Sequence, residues 1–361
     1  MEISLHETDR TLIGLIEGVD SIIWNERFDK PGDFEIYTNV SLEFLEIFQI
    51  GRYLSNNIVG SNSWMIIEGR EIVTDIIDGH KLIITGRSLE SLLDRRLIIP
   101  QLLIDSSLAV AISDLINDNV ISATDSLRDI PEFRYIEVSG GIFDTAVETQ
   151  FDDQDILLDA VTSLCSQHDI GFSIQYNTTL DKFDITLNSG EDRSYAQSTN
   201  GFVIFSPEFD NLSSSRYKES LKAFKTFCLT KGDSSDGPAT KVESFLGSPA
   251  ISGLSRREVF LNQTSLSEYV GDTEVKIPTA DYEAQLEQKG DLFLKDLNVT
   301  SSFDGEVEAT KMFTYGVDFN IGDIVQFADE YGNSGTAKVV EFIINSSLSG
   351  FSTHPIFHML D

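Results

Sequence analysis

Over much of the first hundred positions hydrophobic and polar residues alternate with period two, the signature of strands with one buried face. Residues 21–29 read as one such strand. Pro31-Gly32-Asp33 then supplies a turn and residues 34–38 resume the alternation, which predicts a hairpin. Ser41 is placed to cap a short helix over 42–48, with Leu42, Leu45 and Phe48 on one face. Two further strands are predicted over 63–69 and 81–86, with Asp78-Gly79 as a tight turn before the second. Ser88 is placed to cap a helix over 89–95, with Glu90 in its first turn. Short strands joined by tight turns predict a small barrel or sandwich.

The period changes after residue 100. Residues 107–117 read as a helix with Leu108, Ala111, Ile112 and Leu115 on one side. Residues 151–167 read as a second, with Ile156, Leu157, Ala160, Val161 and Leu164 in helical register. Strands over 171–176 and 183–187 flank a turn, so this part is an α+β unit inserted between β domains. The polar, glycine-bearing stretch 189–201 marks a boundary. Alternation then returns over 202–205, 221–229 and 257–261. Between the last two, residues 231–253 are rich in Gly, Ser and Pro, and read as a mobile loop of functional use. A helix is expected over 280–289, followed by strands holding Phe293, Val299, Val325, Phe327, Val339 and Phe342, with a hairpin turn over 330–335. No fixed-period repeat occurs, although a β domain at each end permits a distant duplication. The expected architecture is therefore α+β, mainly β. It has an N-terminal β-barrel domain over 1–100, an inserted α+β domain over 101–200, and a second β-barrel with an associated helix and closing strands over 201–361.

Composition narrows the function. A chain of 361 residues with 41% hydrophobic residues has material for two or three cores. Its formal charge of −33 argues against general nucleic-acid binding, which needs Lys and Arg to displace counterions, and against an anionic membrane surface. The simplest use of the charge is solubility. It also suits the wall of a DNA conduit, because repulsion within roughly 8–10 Å keeps DNA from adhering. The two cysteines, Cys165 and Cys228, form no CxxC motif and fit synthesis in a reducing compartment. The N-terminus lacks the pattern of a signal peptide, and no apolar run approaches the ~18 residues of a membrane span. Six Asn-x-Ser/Thr triplets are the number chance produces in so Asn- and Ser-rich a chain, and carry no weight without a secretion signal.

Catalytic templates are missing. GxxxxGK[ST], GxGxxG after a strand, HExxH, GxSxG and EF-hand spacing do not occur. Cys165 and His168 stand three apart on a predicted helix, as a nucleophile pair would; the plainer alternative is a buried Cys beside a His at the helix end. His354 and His358 share a face only if they lie in a strand, because Pro355 breaks a helix there, and they make a weak metal pair. Asp152, Asp153 and Asp155 are placed to stabilise a helix N-terminus rather than to bind a cation. Arg95-Arg96 is too short for a nucleic-acid patch. No catalytic, cofactor-binding or metal-ligating residue is assigned, and no cofactor is expected.

One larger pattern remains. Trp24, Phe28-Asp29, Gly32-Asp-Phe-Glu-Ile36, Gly51-Arg-Tyr-Leu54, Met65-Ile-Ile-Glu-Gly69, Leu82 to Leu93 and Asp94-Arg-Arg-Leu-Ile98 follow one another in order. Phe205-Ser-Pro-Glu-Phe-Asp-Asn-Leu212, Ser255-Arg-Arg-Glu-Val-Phe-Leu261, Tyr315 to Val325 and Lys338-Val-Val-Glu341 continue the order. This arrangement resembles the hub-like tail proteins of long-tailed bacteriophages that infect Gram-positive bacteria, over roughly residues 20–100 and 200–345.

The resemblance implies a fold like the hub of contractile-tail baseplates: two small β-barrels with attached α/β parts. It implies a homotrimeric ring of pseudo-sixfold symmetry on the tail tube. Its neighbours would be the distal tail protein, the end of the tape-measure protein and, in some members, tail fibre or receptor-binding proteins. DNA would pass through the channel without specific binding. The protein would be made in the host cytoplasm and reside at the tail tip of the virion, as a structural part rather than an enzyme. Some relatives carry a C-terminal hydrolase or fibre-attachment extension; the sequence ends at Asp361, so a hub without one is expected. Gly86 and Gly322 are expected at tight turns. Arg87 and Arg257 are expected to pair with carboxylates, at subunit contacts or within the chain. Two alternatives stand beside this reading: the hub of a contractile injection machine or tail-like bacteriocin, and a cell-wall hydrolase using a carboxylate or Cys165.

Overall fold

Ser21–Arg27 and Asp33–Asn39 pair antiparallel, and alternate side chains, Ile22 and Trp24 on one strand and Phe34 and Ile36 on the other, are buried. This is the hairpin that the alternation predicts. It belongs to a computed structural model that describes residues 1–56, 63–75, 79–153, 155–233, 237–271, 273–298, 301–307, 312–348 and 350–360. The expectations for Asp78 and Val299, and residues 234–236 of the 231–253 loop, lie outside the described residues.

The hairpin stands in the middle of a 13-stranded sheet. On one side Asp33–Asn39 pairs with Gly79–Ser88, and the sheet continues through Trp64–Asp75, Tyr53–Asn56 and Ile3–His6 to the edge strand Leu12–Ile16. On the other side Ser21–Arg27 pairs with Ser334–Ser347, and the sheet runs on through Gly350–Leu360 and Ser301–Val307 to Leu212–Glu219. The two ends of the chain, expected to form separate barrels, thus share one sheet, and among the described residues no pairing closes it. The reason is packing: one hydrophobic core collects Trp24, Ile36 and Ile67 together with Phe205, Phe327 and Ile344.

A second core gathers residues between 89 and 187 together with Ile66. Helix α2 (Leu108–Ile116) buries Leu108, Ala111, Ile112 and Leu115, as its spacing predicts. Helix α3 (Leu157–Gln167) starts six residues later than expected, because Phe151 completes the strand Ala146–Phe151, which pairs with Leu102–Ser107. Gly171–Asn177 and Lys182–Asn188 form the predicted hairpin.

Other local expectations change. The short helix α1 (Leu42–Ile47) is capped by Ser41, whose Oγ accepts from the Phe44 N–H at 3.0 Å, but Leu42 is 86% exposed and takes no part in the core. Residues 89–95 form a 3₁₀ helix rather than an α-helix. Ser88 does not cap it through its side chain, because its Oγ accepts from the Gly32 N–H at 2.8 Å. The strand expected over 221–229 begins only at Phe227, and the expected loop contains the strand Lys241–Phe245. Phe227–Lys231, Lys241–Phe245 and Glu258–Asn262 make a separate three-stranded sheet. Helix α4 (Thr279–Leu297) covers one face of it and runs past residue 289, so Phe293 is helical. Ile324–Ala328 and Ser334–Ser347 form the hairpin expected around residues 330–335.

Candidate functional site

The alternation that buries Ile22 and Trp24 also buries Glu26, a carboxylate in phase with core residues. Three donors converge on it. Tyr315 donates its O–H to Oε2 at 2.6 Å, while Asn56 Nδ2 and Trp24 Nε1 donate to Oε1 at 3.2 and 3.3 Å. Tyr315 is held by stacking on Phe342, with ring centroids 3.8 Å apart and planes 10° apart. Burial, and next the Glu26 charge, raise its phenol well above the usual range.

Two other buried carboxylates adjoin the same cavity of about 390 Å³. Glu90, from the 3₁₀ helix, accepts the Ile174 N–H at 2.6 Å and so ties that helix to the 171–188 hairpin. Burial pushes its carboxyl up, against the Ser88 and Ile174 hydrogen bonds that pull it down. Asp323 accepts from Arg193 Nε at 2.7 Å, the Glu191 N–H at 2.8 Å and the Asn320 N–H at 2.9 Å. Gly322, at φ +91°, provides the turn expected of it, and Phe28 packs against it. The cavity therefore lies where the N-terminal strands, the inserted unit and the C-terminal strands meet. Donor groups from several segments satisfy its carboxylates, an arrangement that holds segments in register.

The residues singled out from sequence lie elsewhere. Cys165 is fully buried, and burial raises its thiol, so no thiolate forms at neutral pH. His168 is the C-cap of α3; burial, then the Lys295 charge, lower its pKa. His354 and His358 lie on one face of Gly350–Leu360, and His354 Nε2 is 3.1 Å from Ser352 Oγ. Among the described residues no group of three His, Cys, Asp or Glu is arranged to hold a metal ion. Asp155 accepts the Asp152 N–H at 2.9 Å, ahead of α3, whose first turn holds Asp159 instead. Arg96 donates to the Arg128 carbonyl at 2.9 Å and Arg95 lies 4.0 Å from Glu68. Arg87 pairs within the chain, with Glu68 at 2.7 Å and Asp94 at 3.0 Å. Arg257 donates to the Leu221 carbonyl and lies over the Phe224 ring. Gly86 sits inside the strand Gly79–Ser88 rather than at a turn; a Cβ there would strike the Ile66 carbonyl. Sequence reasoning missed Glu26, Tyr315 and Asp323. The available signal was Glu26 itself, charged yet in phase with Ile22 and Trp24.

The whole fold recurs in known tail proteins. The 43 kDa tail protein of prophage MuSo2 from Shewanella oneidensis superposes with a TM-score of 0.61 at 12% identity, covering 99% of this chain and 98% of that one. The tail protein from Neisseria meningitidis MC58 gives 0.60 at 12% identity, covering 100% and 96%. Prophage tail protein gp18 from Listeria monocytogenes EGD-e gives 0.53 at 11% identity, covering 99% and 94%. The fold is that of a phage tail protein. No curated protein matches the chain by sequence. The family model of the Siphovirus ReqiPepy6 Gp37-like proteins matches residues 2–354, and the chain belongs to that family. Among the described residues no helix is long and apolar enough to cross a membrane.

Proposed function

We propose that this protein is the structural hub of a phage tail tip, acting as a trimeric ring at the distal end of the tail tube during host attachment and genome ejection. The observation that carries this reading is the match of family and fold along nearly the whole chain. The continuous sheet supports it, because a ring under load needs its two ends tied within each subunit. The role is non-catalytic. Its partners are the distal tail protein, the end of the tape-measure protein and attached fibre or receptor-binding proteins. DNA traverses the ring without specific binding, past a wall kept acidic by the charge of −33. The working units are 1–100, 101–200 and 201–361. Membership of a siphovirus family favours this over a contractile machine, and the buried Cys165 disfavours a thiol hydrolase.

Gold-labelled antibody against the chain, applied to intact virions, tests the reading. Label at the distal tip of the tail is expected. Label along the tube or at the head, or its absence from virions, would overturn it.

A further inference from the structure

One imidazole of the interior is incompletely paired. His168, the C-cap of α3, donates its backbone N–H to the Leu164 carbonyl at 3.1 Å. Its ring Nε2 is enclosed and has no hydrogen-bond partner among the described residues. The charge that bears on this ring comes from another unit. Lys295, in the last turn of α4, donates its Nζ to the carbonyl of Gln167, the neighbour of His168, at 3.1 Å. That bond seats the end of α4, the helix that covers the three-stranded sheet, on the end of α3, which belongs to the second core.

A cation is favoured at a helix C-terminus, and Lys295 already fills that place. A protonated His168 would be a second cation, with an ammonium beside it and no acceptor for its Nε2–H. Burial and the Lys295 charge both oppose that proton. The other charged groups of the junction surround an adjoining cavity of about 290 Å³. Asp29 and Asp169 line it, with Asp296 from α4 and His358 from the strand Gly350–Leu360, and the His358 charge bears on Asp296. Lys338 reaches Asp169 from the large sheet at 3.0 Å. Lys295 borders this cavity too, whereas His168 is not on its wall. The strain of a proton on His168 therefore falls on the Lys295 contact, because a buried charge without a partner is costly.

We propose that His168 is a proton-operated catch. Neutral, it lets the last turn of α4 seat on α3; protonated, it drives Lys295 off the Gln167 carbonyl and loosens that turn. The contribution of the neutral ring is fully present above the unfolded histidine value of about 6.5 and is lost as pH falls from there through the lower folded value. The catch stands independently of the hub reading.

Hydrogen exchange of the full chain, read as protection over residues 294–298 after correction for the intrinsic rate, tests it. Between about pH 7.5 and about pH 5 the native chain is expected to lose protection there at least about threefold, and more than over residues 282–290 of the same helix. His168→Gln, neutral throughout, is expected to keep its protection in acid, and His358→Gln to leave the loss as it is. Lys295→Met is expected to raise the titration midpoint of His168, read by NMR on labelled histidine. Unchanged circular dichroism verifies that the variants fold, and should His168→Gln not fold, the titration of the native ring decides alone. A loss undiminished in His168→Gln would overturn the proposal, as would a loss that His358→Gln abolishes. So would a native His168 ring that titrates at or above the ordinary histidine value.

Discussion

Tyr315 and Glu26 lie 289 positions apart in the chain and share a hydrogen bond of 2.6 Å in its interior. The bond joins the N-terminal strands to the C-terminal ones at a charged acceptor, where a lost donor leaves a buried carboxylate short of a partner. Tyr315→Phe is expected to lower stability by about 1.5–3 kcal/mol. Guanidinium unfolding followed by tryptophan fluorescence reads this directly, since Trp24 donates to the same carboxylate. An unchanged midpoint would show that the bond contributes nothing.

Glu90 makes stability depend on pH in a definite direction. Burial holds its folded carboxyl above the unfolded value, so the folded state binds the proton more tightly. Its contribution is fully present below the unfolded pKa and is lost as pH rises through the folded one. Glu90→Gln keeps an acceptor for the Ile174 N–H without a charge. Melting temperatures of the variant are expected to exceed those of the native chain at neutral pH and to converge in acid. Parallel profiles would sink the idea.

Asp181 behaves in the opposite sense. The Arg10 guanidinium, bound at 2.7 and 2.9 Å, and the Tyr176 hydroxyl at 2.8 Å hold it down to about 2. Its contribution is present above the unfolded carboxylate range and is lost as pH falls through the folded value. The bridge pins the first hairpin turn to the inserted unit. Asp181→Asn is expected to speed hydrogen exchange at the Glu7 and Arg10 amides, which bond within that turn. Raised salt should reproduce part of the effect, because the Asp181 end of the pair is exposed, although the Arg10 side chain is largely covered.

How much of this was legible depends on range. The hairpin over 21–39 follows from local pattern, because a turn triplet separates two alternating runs. Residues 151–167 fit a helical period throughout, and only pairing with Leu102–Ser107 makes Phe151 a strand residue. The pairing of Ser334–Ser347 with Ser21–Arg27 leaves no local mark, since alternation specifies a face but not a partner. For the same reason the donors of Asp323 were hidden, whereas Glu26 declared itself by its phase. Leu42 shows the converse: a helical face written in three apolar residues is buried only where the sheet lies beneath it.

Both thiols are enclosed, Cys165 in the second core and Cys228 beneath α4. Neither is expected to react with a thiol reagent at neutral pH until the protein unfolds, when both should titrate. A native chain that loses a thiol at once would restore Cys165 to consideration as a nucleophile.

Gly290 offers a test in which two principles predict opposite signs. In an exposed helix Ala is favoured over Gly by about 1 kcal/mol, so Gly290→Ala would stabilise α4 on propensity alone. The site is buried, however, and a methyl there would meet the hydroxyls of Ser244 and Thr230. Rotating Ser244 away does not free the space, because its Cβ stands 3.1 Å from the added carbon. That rotation would also break the bond from Ser244 Oγ to the Glu287 carbonyl, 3.1 Å long. Thr230 is fully buried and β-branched, and turning it exchanges a hydroxyl for a methyl. Crowding is therefore expected to win. Gly290→Ala should destabilise despite its propensity, and Gly290→Val should cost about 1–3 kcal/mol as α4 is forced off the sheet. Stabilisation by Ala in chemical unfolding would mean that α4 rides farther from the strands than the Gly290 contact requires.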